Sequence, residues 1–266
     1  MKIAVFDLRG PFAHFRKYYT NTSSLSYPFP PRTVLMGIIA AILGWERDSY
    51  YEKLNPDNAR FGVVIKVPVR SLFQTVNYIR TKEEDLNVMK KLGFMKGTQV
   101  PLELLLPGGG APMLNYRIYF GHREEKITEE VAKRLKQNKP YFPLYLGLTE
   151  FIAQAQLVYF GEPSKVISAG KEVMLHSILT VDFLKQPFLT NGITLNREKA
   201  PEAFSEGRNL LPPKSYIYET QGRPWKAILS VDAYSFALPS GEENVAFMEG
   251  ELWFTMPTEN KKPSIA

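Results

Sequence analysis

Hydrophobic and polar positions alternate from Lys2 to Leu8, with Ile3 and Val5 inward and Phe6 and Leu8 as further inward candidates, the period of a strand. The pattern then changes. Val34 to Leu43 is apolar on nearly every helical face, which predicts a buried helix over residues 33–44. Thr33 is its expected N-cap, approached through Pro30 and Pro31, and Gly44 stands where a left-handed residue ends a helix. A short helix is expected around Arg47 to Leu54. Arg60 to Thr75 is rich in Val, Ile and Phe and reads as one long strand, with Pro68 at an edge or bulge. Met113 to Phe120 and Phe151 to Phe160 read as strands, and Thr128 to Asn138 as a polar amphipathic helix between them.

The order βαββαβ over residues 1–160 predicts an α+β, ferredoxin-like domain, the pattern shared by RNA-recognition motifs. Residues 77–112 form an excursion too long for a hairpin turn. It carries Arg80, Lys82, Lys90, Lys91 and Lys96, an acidic cluster at Glu83, Glu84 and Asp85, and a PGGGAP tip that reads as a flexible connector. Residues 161–266 predict a smaller β-rich C-terminal domain, with strands in Met174 to Phe183, Trp225 to Phe236 and Val245 to Thr255. The charged end, residues 259–266, is expected to fray.

Composition narrows the function. With 44% hydrophobic residues among 266, the chain can bury a core without staples. The absence of cysteine excludes thiol catalysis, disulfides and thiolate metal sites, and fits a cytoplasmic protein. The chain opens on a strand rather than a signal sequence, and its longest apolar run is about half the roughly 20 residues needed to span a bilayer. A soluble protein without a membrane contact is therefore expected. The net charge of +6 is unevenly spread: residues 1–122 hold 16 Lys and Arg against 9 Asp and Glu. A polyanion is expected to bind that half, although such an excess also serves solubility.

The chemistry-bearing residues lie in the same half. His14, Arg16, Lys17, Tyr18 and Tyr19 pair cations with flat rings within six residues, which suits phosphates and unstacked bases. Arg32 stands at a helix N-terminus, either as an anion ligand or as a solvated charge. Phosphate contacts are expected from Arg16, Lys17, Arg32, Arg70, Arg80 and Arg117, and stacking from Tyr18, Tyr19 and Tyr116. Asn21, Thr22, Thr33 and Gln99 are the candidates for base-edge hydrogen bonds. The three histidines lack partners at metal-ligand spacing, so neither a metal site nor a cofactor is expected. Metal-independent RNA cleavage remains open on two sets: His14 with Lys17 and Tyr18, or His122 with Tyr119 and Arg123. An adaptor making only protein contacts is a third reading, which leaves the charge asymmetry unexplained.

Gly10, Phe12, Phe15 and Arg16, followed by Tyr27, Pro28, Pro30, Arg32 and Thr33 and then Leu43 and Gly44, resemble the motif of CRISPR-associated proteins of Cas family five, in the RAMP superfamily. GTQVPLELL at 97–105, NYRIYF at 115–120 and PYFPLYLGLTEF at 140–151 extend the likeness, with a weaker echo at 208–224. The resemblance implies a non-catalytic subunit of a type I Cascade complex. It would grip the crRNA 5′ handle, nucleate assembly for antiviral surveillance, and meet target DNA only indirectly. The excursion at 77–112 would be the family's thumb, reaching the backbone subunit, with a large subunit beside it. Some relatives are endoribonucleases using a Tyr, Lys and His set. Here the corresponding strand end reads Gly121-His122-Arg123, without the Lys-His pair.

Overall fold

The computed structural model describes residues 1–21, 23–79, 83–93 and 97–253. Thr22, Arg80, Lys82, Lys96 and residues 259–266, named above, lie outside them. The N-terminal alternation is strand β1 (Ile3–Gly10), and the apolar run is helix α1 (Arg32–Leu43). Then come β2 (Ala59–Ile65), β3 (Val69–Ile79), α2 (Glu83–Leu92), β4 (Gly97–Pro107), β5 (Leu114–His122), α3 (Glu125–Lys136) and β6 (Ile152–Gly161). Four of the strands form one antiparallel sheet in the order β2-β5-β1-β6, with Leu144–Tyr145 added beyond β6. The fold is therefore mixed α/β around an antiparallel sheet.

Both faces of β1, β2 and β5 are buried, which is why β1 alternates imperfectly, while the edge strand β6 leaves Ile152, Gln154 and Gln156 exposed. Ala4, Phe6 and Leu8 pack with α1 and α3, in a core holding Leu35, Ile39, Ile118 and Val131. Ile3 and Val5 point the other way, with Val64 and Tyr119, against Tyr234, Phe236, Val245 and Phe247. The C-terminal half supplies that cover. It contains β7 (Lys165–Ile167), β8 (Glu172–Leu175), β9 (Leu184–Phe188), β10 (Leu195–Ala200), β11 (Lys214–Glu219), β12 (Trp225–Leu229), β13 (Ala233–Leu238) and β14 (Gly241–Val245). These make small sheets ordered β7-β13-β14 and β8-β12-β9, while β11 pairs with β10 and with Leu179–Thr180.

Four expectations change. The run from Arg60 to Thr75 is two strands, because the chain leaves the central sheet at Lys66–Pro68 and, among the described residues, β3 pairs only with β4. The excursion is therefore a ribbon that begins at Val69 rather than at residue 77. The short helix near residues 47–54 is a set of turns, interrupted by Asp48 at a φ of 64°. At the start of α1, Pro31 rather than Thr33 is the N-cap, and its carbonyl accepts the amides of Val34 and Leu35. Gly44 does end the helix, at a φ of 78°. A Cβ there would also lie 2.5 Å from the Tyr141 ring, so both conformation and space demand glycine.

Candidate nucleic-acid interface

The segment after β1 turns back on itself. Phe15–Arg16 pairs with Ser26–Tyr27, and Phe15 and Tyr27 are fully buried while Arg16 faces solvent. Within the loop between them, the Lys17 amide donates to the Leu25 carbonyl at 2.8 Å, and the Thr20 hydroxyl donates to the Lys17 carbonyl at 2.9 Å. This winding leaves Arg16, Tyr18, Tyr19 and Asn21 on the surface. The Tyr18 and Tyr19 rings meet edge-on with centroids 5.2 Å apart, and each is nearly half exposed.

The loop rests on PYFPLYLGLTEF. The His14 amide donates to the Leu146 carbonyl at 3.0 Å, and Gly147, at a φ of 92°, lies so close that a Cβ would strike the His14 carbonyl oxygen. From the other side, Glu198 on β10 reaches in. It accepts the Lys17 ammonium at 2.6 Å and the Tyr19 hydroxyl at 3.0 Å. Burial alone would lower the lysine's pKa, but this carboxylate holds it above the ordinary value. Glu198 escaped the sequence reading because nothing local couples a residue of an ordinary strand to a loop 181 positions away.

The other expected RNA contacts divide. Arg32 is a correction, since its guanidinium has no exposed surface. It is paired with Glu249 and donates to the Leu54, Ala59 and Glu202 carbonyls, over the Phe61 ring. A sealed cation needs such partners and has none to spare for phosphate. Arg117 is likewise sealed, donating to Asp7 at 2.7 Å, Glu243 at 2.6 Å and Ser240 at 2.8 Å beneath the C-terminal sheets. Burial would raise the Asp7 carboxyl, but the Arg117 and Arg9 guanidiniums bonded to it hold it below the carboxylate range. Tyr116 is buried, its hydroxyl donating to the Pro28 carbonyl, so it presents no ring to a base.

Arg70 and Gln99 are exposed on the β3–β4 ribbon, Arg70 near its base and Gln99 opposite Asn77 towards its far end. Thr33 instead lines a groove of about 760 Å³ along α1, with Val34, Gly37, Trp45 and Tyr145. A smaller cleft of about 310 Å³ lies where the hairpin, the ribbon base and β10 meet, lined by Lys17, Ser71, Glu103, Asn196 and Glu198.

The candidate catalytic sets do not converge. His14 is buried, its Nδ1 donating to the Glu103 carbonyl at 2.8 Å and its Nε2 accepting the Ser24 hydroxyl at 2.8 Å. Burial lowers its pKa and favours that neutral ring. Tyr18 faces solvent, while Lys17 turns to Glu198. His122 donates from Nε2 to the Lys53 carbonyl and accepts the Glu124 amide at Nδ1, both at 2.9 Å. Its proposed companion Tyr119 is buried, donating to Glu243. Among the described residues, no group of three His, Cys, Asp or Glu is placed to hold a metal ion, and no helix is long and apolar enough to cross a membrane.

Residues 3–96 match the family model described as CRISPR-associated protein (Cas_Cas5). No curated protein matches the chain. The fold is similar to the crystal structure of a CRISPR protein from Archaeoglobus fulgidus, at 13% identity over 92% of this chain and 98% of that one, with a TM-score of 0.53. A chain of a CRISPR RNA-guided surveillance complex aligns at 16% identity over 83% and 91% of the two chains, with a TM-score of 0.46. A chain of the Type III-B Cmr-beta complex bound to cognate target RNA aligns at 10% identity over 85% and 86%, with a TM-score of 0.48.

Proposed function

From the match of residues 3–96 to the Cas5 family model, we propose that this chain is a guide-RNA-binding subunit of a CRISPR effector complex, gripping the crRNA 5′ handle of a type I Cascade without cutting it. The observation that carries this reading is the exposed Arg16–Tyr19 loop inside the family-matched segment. Its two half-exposed tyrosine rings beside cations suit splayed bases and their phosphates. The strand order β2-β5-β1-β6 is that of a ferredoxin-like domain, read here as residues 1–160. In RNA-recognition motifs the open sheet face stacks bases. Here residues 161–266, the second domain of this reading, cover that face over β1, β2 and β5 and leave the β6 edge, with Gln154 and Gln156, exposed, so RNA is assigned to the loop and ribbon side instead.

The β3–β4 ribbon with α2 is the thumb of this reading, and it reaches the neighbouring backbone subunit, with a large subunit alongside and target DNA met through them. Binding without turnover agrees with histidines whose ring nitrogens are spent on the fold. Incubating the purified protein with repeat RNA in EDTA tests the assignment. A gel shift with intact RNA is the expected result. Metal-independent cutting would make the chain an endoribonuclease, and neither shift nor cutting would make it a protein adaptor.

A further inference from the structure

The β3–β4 ribbon has two edges, and they are treated differently by the fold. On β4, the Leu105 amide donates to the Ala13 carbonyl and its carbonyl accepts the Ala13 amide; the Glu103 amide donates to Ser24, and the Pro101 carbonyl accepts the Ser24 amide. The backbone groups of residues 101, 103 and 105 therefore point away from β3. Antiparallel strands alternate bonded and non-bonded pairs. The register sets Thr75 opposite Pro101 and Phe73 opposite Glu103. The amides and carbonyls of Phe73, Thr75, Asn77 and Ile79 consequently point out along the far edge of β3, where no strand pairs with them among the described residues.

Open edges are normally blunted by Lys, Pro, bulges or short length. This one is 11 residues long, and its only charged residue, Arg70, stands at the base. No bulge interrupts its pairing with β4. Phe73 and Ile79 are 61% and 58% exposed, and Leu72 and Tyr78 are exposed on the opposite face. The Thr75 carbonyl accepts the Gln74 side-chain amide at 3.2 Å, a local contact that an incoming strand would displace. The row of alternating donors and acceptors at strand spacing is otherwise complementary to an extended backbone, and the apolar side chains above and below it would grip alternate residues of that strand.

We infer that the outer edge of β3 from Phe73 to Ile79 is a strand-addition site, occupied by an extended, proline-free segment of another protein subunit bearing apolar residues at alternate positions. Placing that segment in a subunit of the effector rests on the function proposed above.

The test uses the full chain co-purified with co-expressed effector subunits and guide RNA, with amide exchange resolved residue by residue. Assembly should slow exchange at Phe73, Thr75, Asn77 and Ile79. Leu72, Gln74, Val76 and Tyr78, already bonded to β4, should change little. Thr75→Pro deletes one outward amide and should weaken association at least tenfold while sparing RNA binding and the melting temperature. Thr75→Ser should behave as the wild type. Assembly without alternating protection, or with Thr75→Pro assembling normally, overturns the edge and leaves the subunit reading standing. The same protection on adding repeat RNA alone, or on concentrating the chain alone, also overturns it, by making the occupant RNA or a second copy. If the wild type joins no effector subunits, the functional reading falls and the edge inference falls with it.

Discussion

The Lys17 ammonium and the Glu198 carboxylate lie 2.6 Å apart, across 181 positions of sequence. The contact ties the exposed tyrosine loop to the C-terminal half, and it fills the place beside Lys17 that an RNA phosphate would take. Glu198 also accepts the Tyr19 hydroxyl, so one carboxylate holds both a cation and a ring of the proposed grip.

Glu198→Gln separates holding from blocking. The amide can still accept from Tyr19 but no longer neutralises Lys17. Affinity for labelled repeat RNA, measured by fluorescence anisotropy, should rise about two- to fivefold, the release of an ion pair worth about 0.5–1 kcal/mol. A fall in affinity would mean that Glu198 serves RNA binding by positioning Lys17 and Tyr19.

Salt dependence counts the phosphates. With Arg32 and Arg117 sealed, Arg16, Lys17 and Arg70 remain among the expected phosphate contacts that the structure describes. At about −0.7 per contact for single strands, two to three contacts give a log–log slope of about −1.5 to −2. Arg16→Glu should flatten it. A slope near zero would remove phosphate binding from the proposal.

Local pattern made part of this fold legible. The alternation of Lys2 to Leu8, the apolar run ending at Gly44 and the cation–aromatic loop each carry their signal within a few residues. What stayed hidden depends on partners far away in sequence. Arg32, preceded by two prolines at a helix start, has the local signature of a surface cation. It is buried because Glu249, 217 positions on, closes over it. Arg117 is sealed by Glu243 in the same way. The departure of β3 from the central sheet is marked only by Pro68, because Val, Ile and Phe suit a sheet strand and a projecting ribbon equally.

The sealed pairs predict stability effects where RNA effects were first expected. Arg32→Gln leaves Glu249 buried without its partner, and Glu249→Gln does the converse. Each should cost about 3–5 kcal/mol in urea unfolding. The folded fraction should bind RNA with unchanged affinity, since neither group reaches the surface. A wild-type melting curve with lost RNA binding would return Arg32 to the interface.

His14 decides between scaffold and chemistry. Its native pKa lies below the ordinary 6.5 because burial disfavours the imidazolium. The stability it contributes is therefore complete above that value and is lost as pH falls through it towards the native pKa. His176 is shifted in the same direction, also chiefly by burial, so it should keep part of the slope when His14 is replaced. His14→Ala should lower the urea midpoint by the equivalent of about 1–3 kcal/mol at pH 7, through the orphaned Ser24 and Glu103 groups. Its stability should also vary less than the wild type's between pH 7 and pH 5. The expected cleavage of repeat RNA is nil in both proteins, and His122→Ala controls for the second candidate site. Single-site cutting by the wild type that either substitution abolishes, without a matching loss of stability, would make the histidine a catalyst rather than a strut.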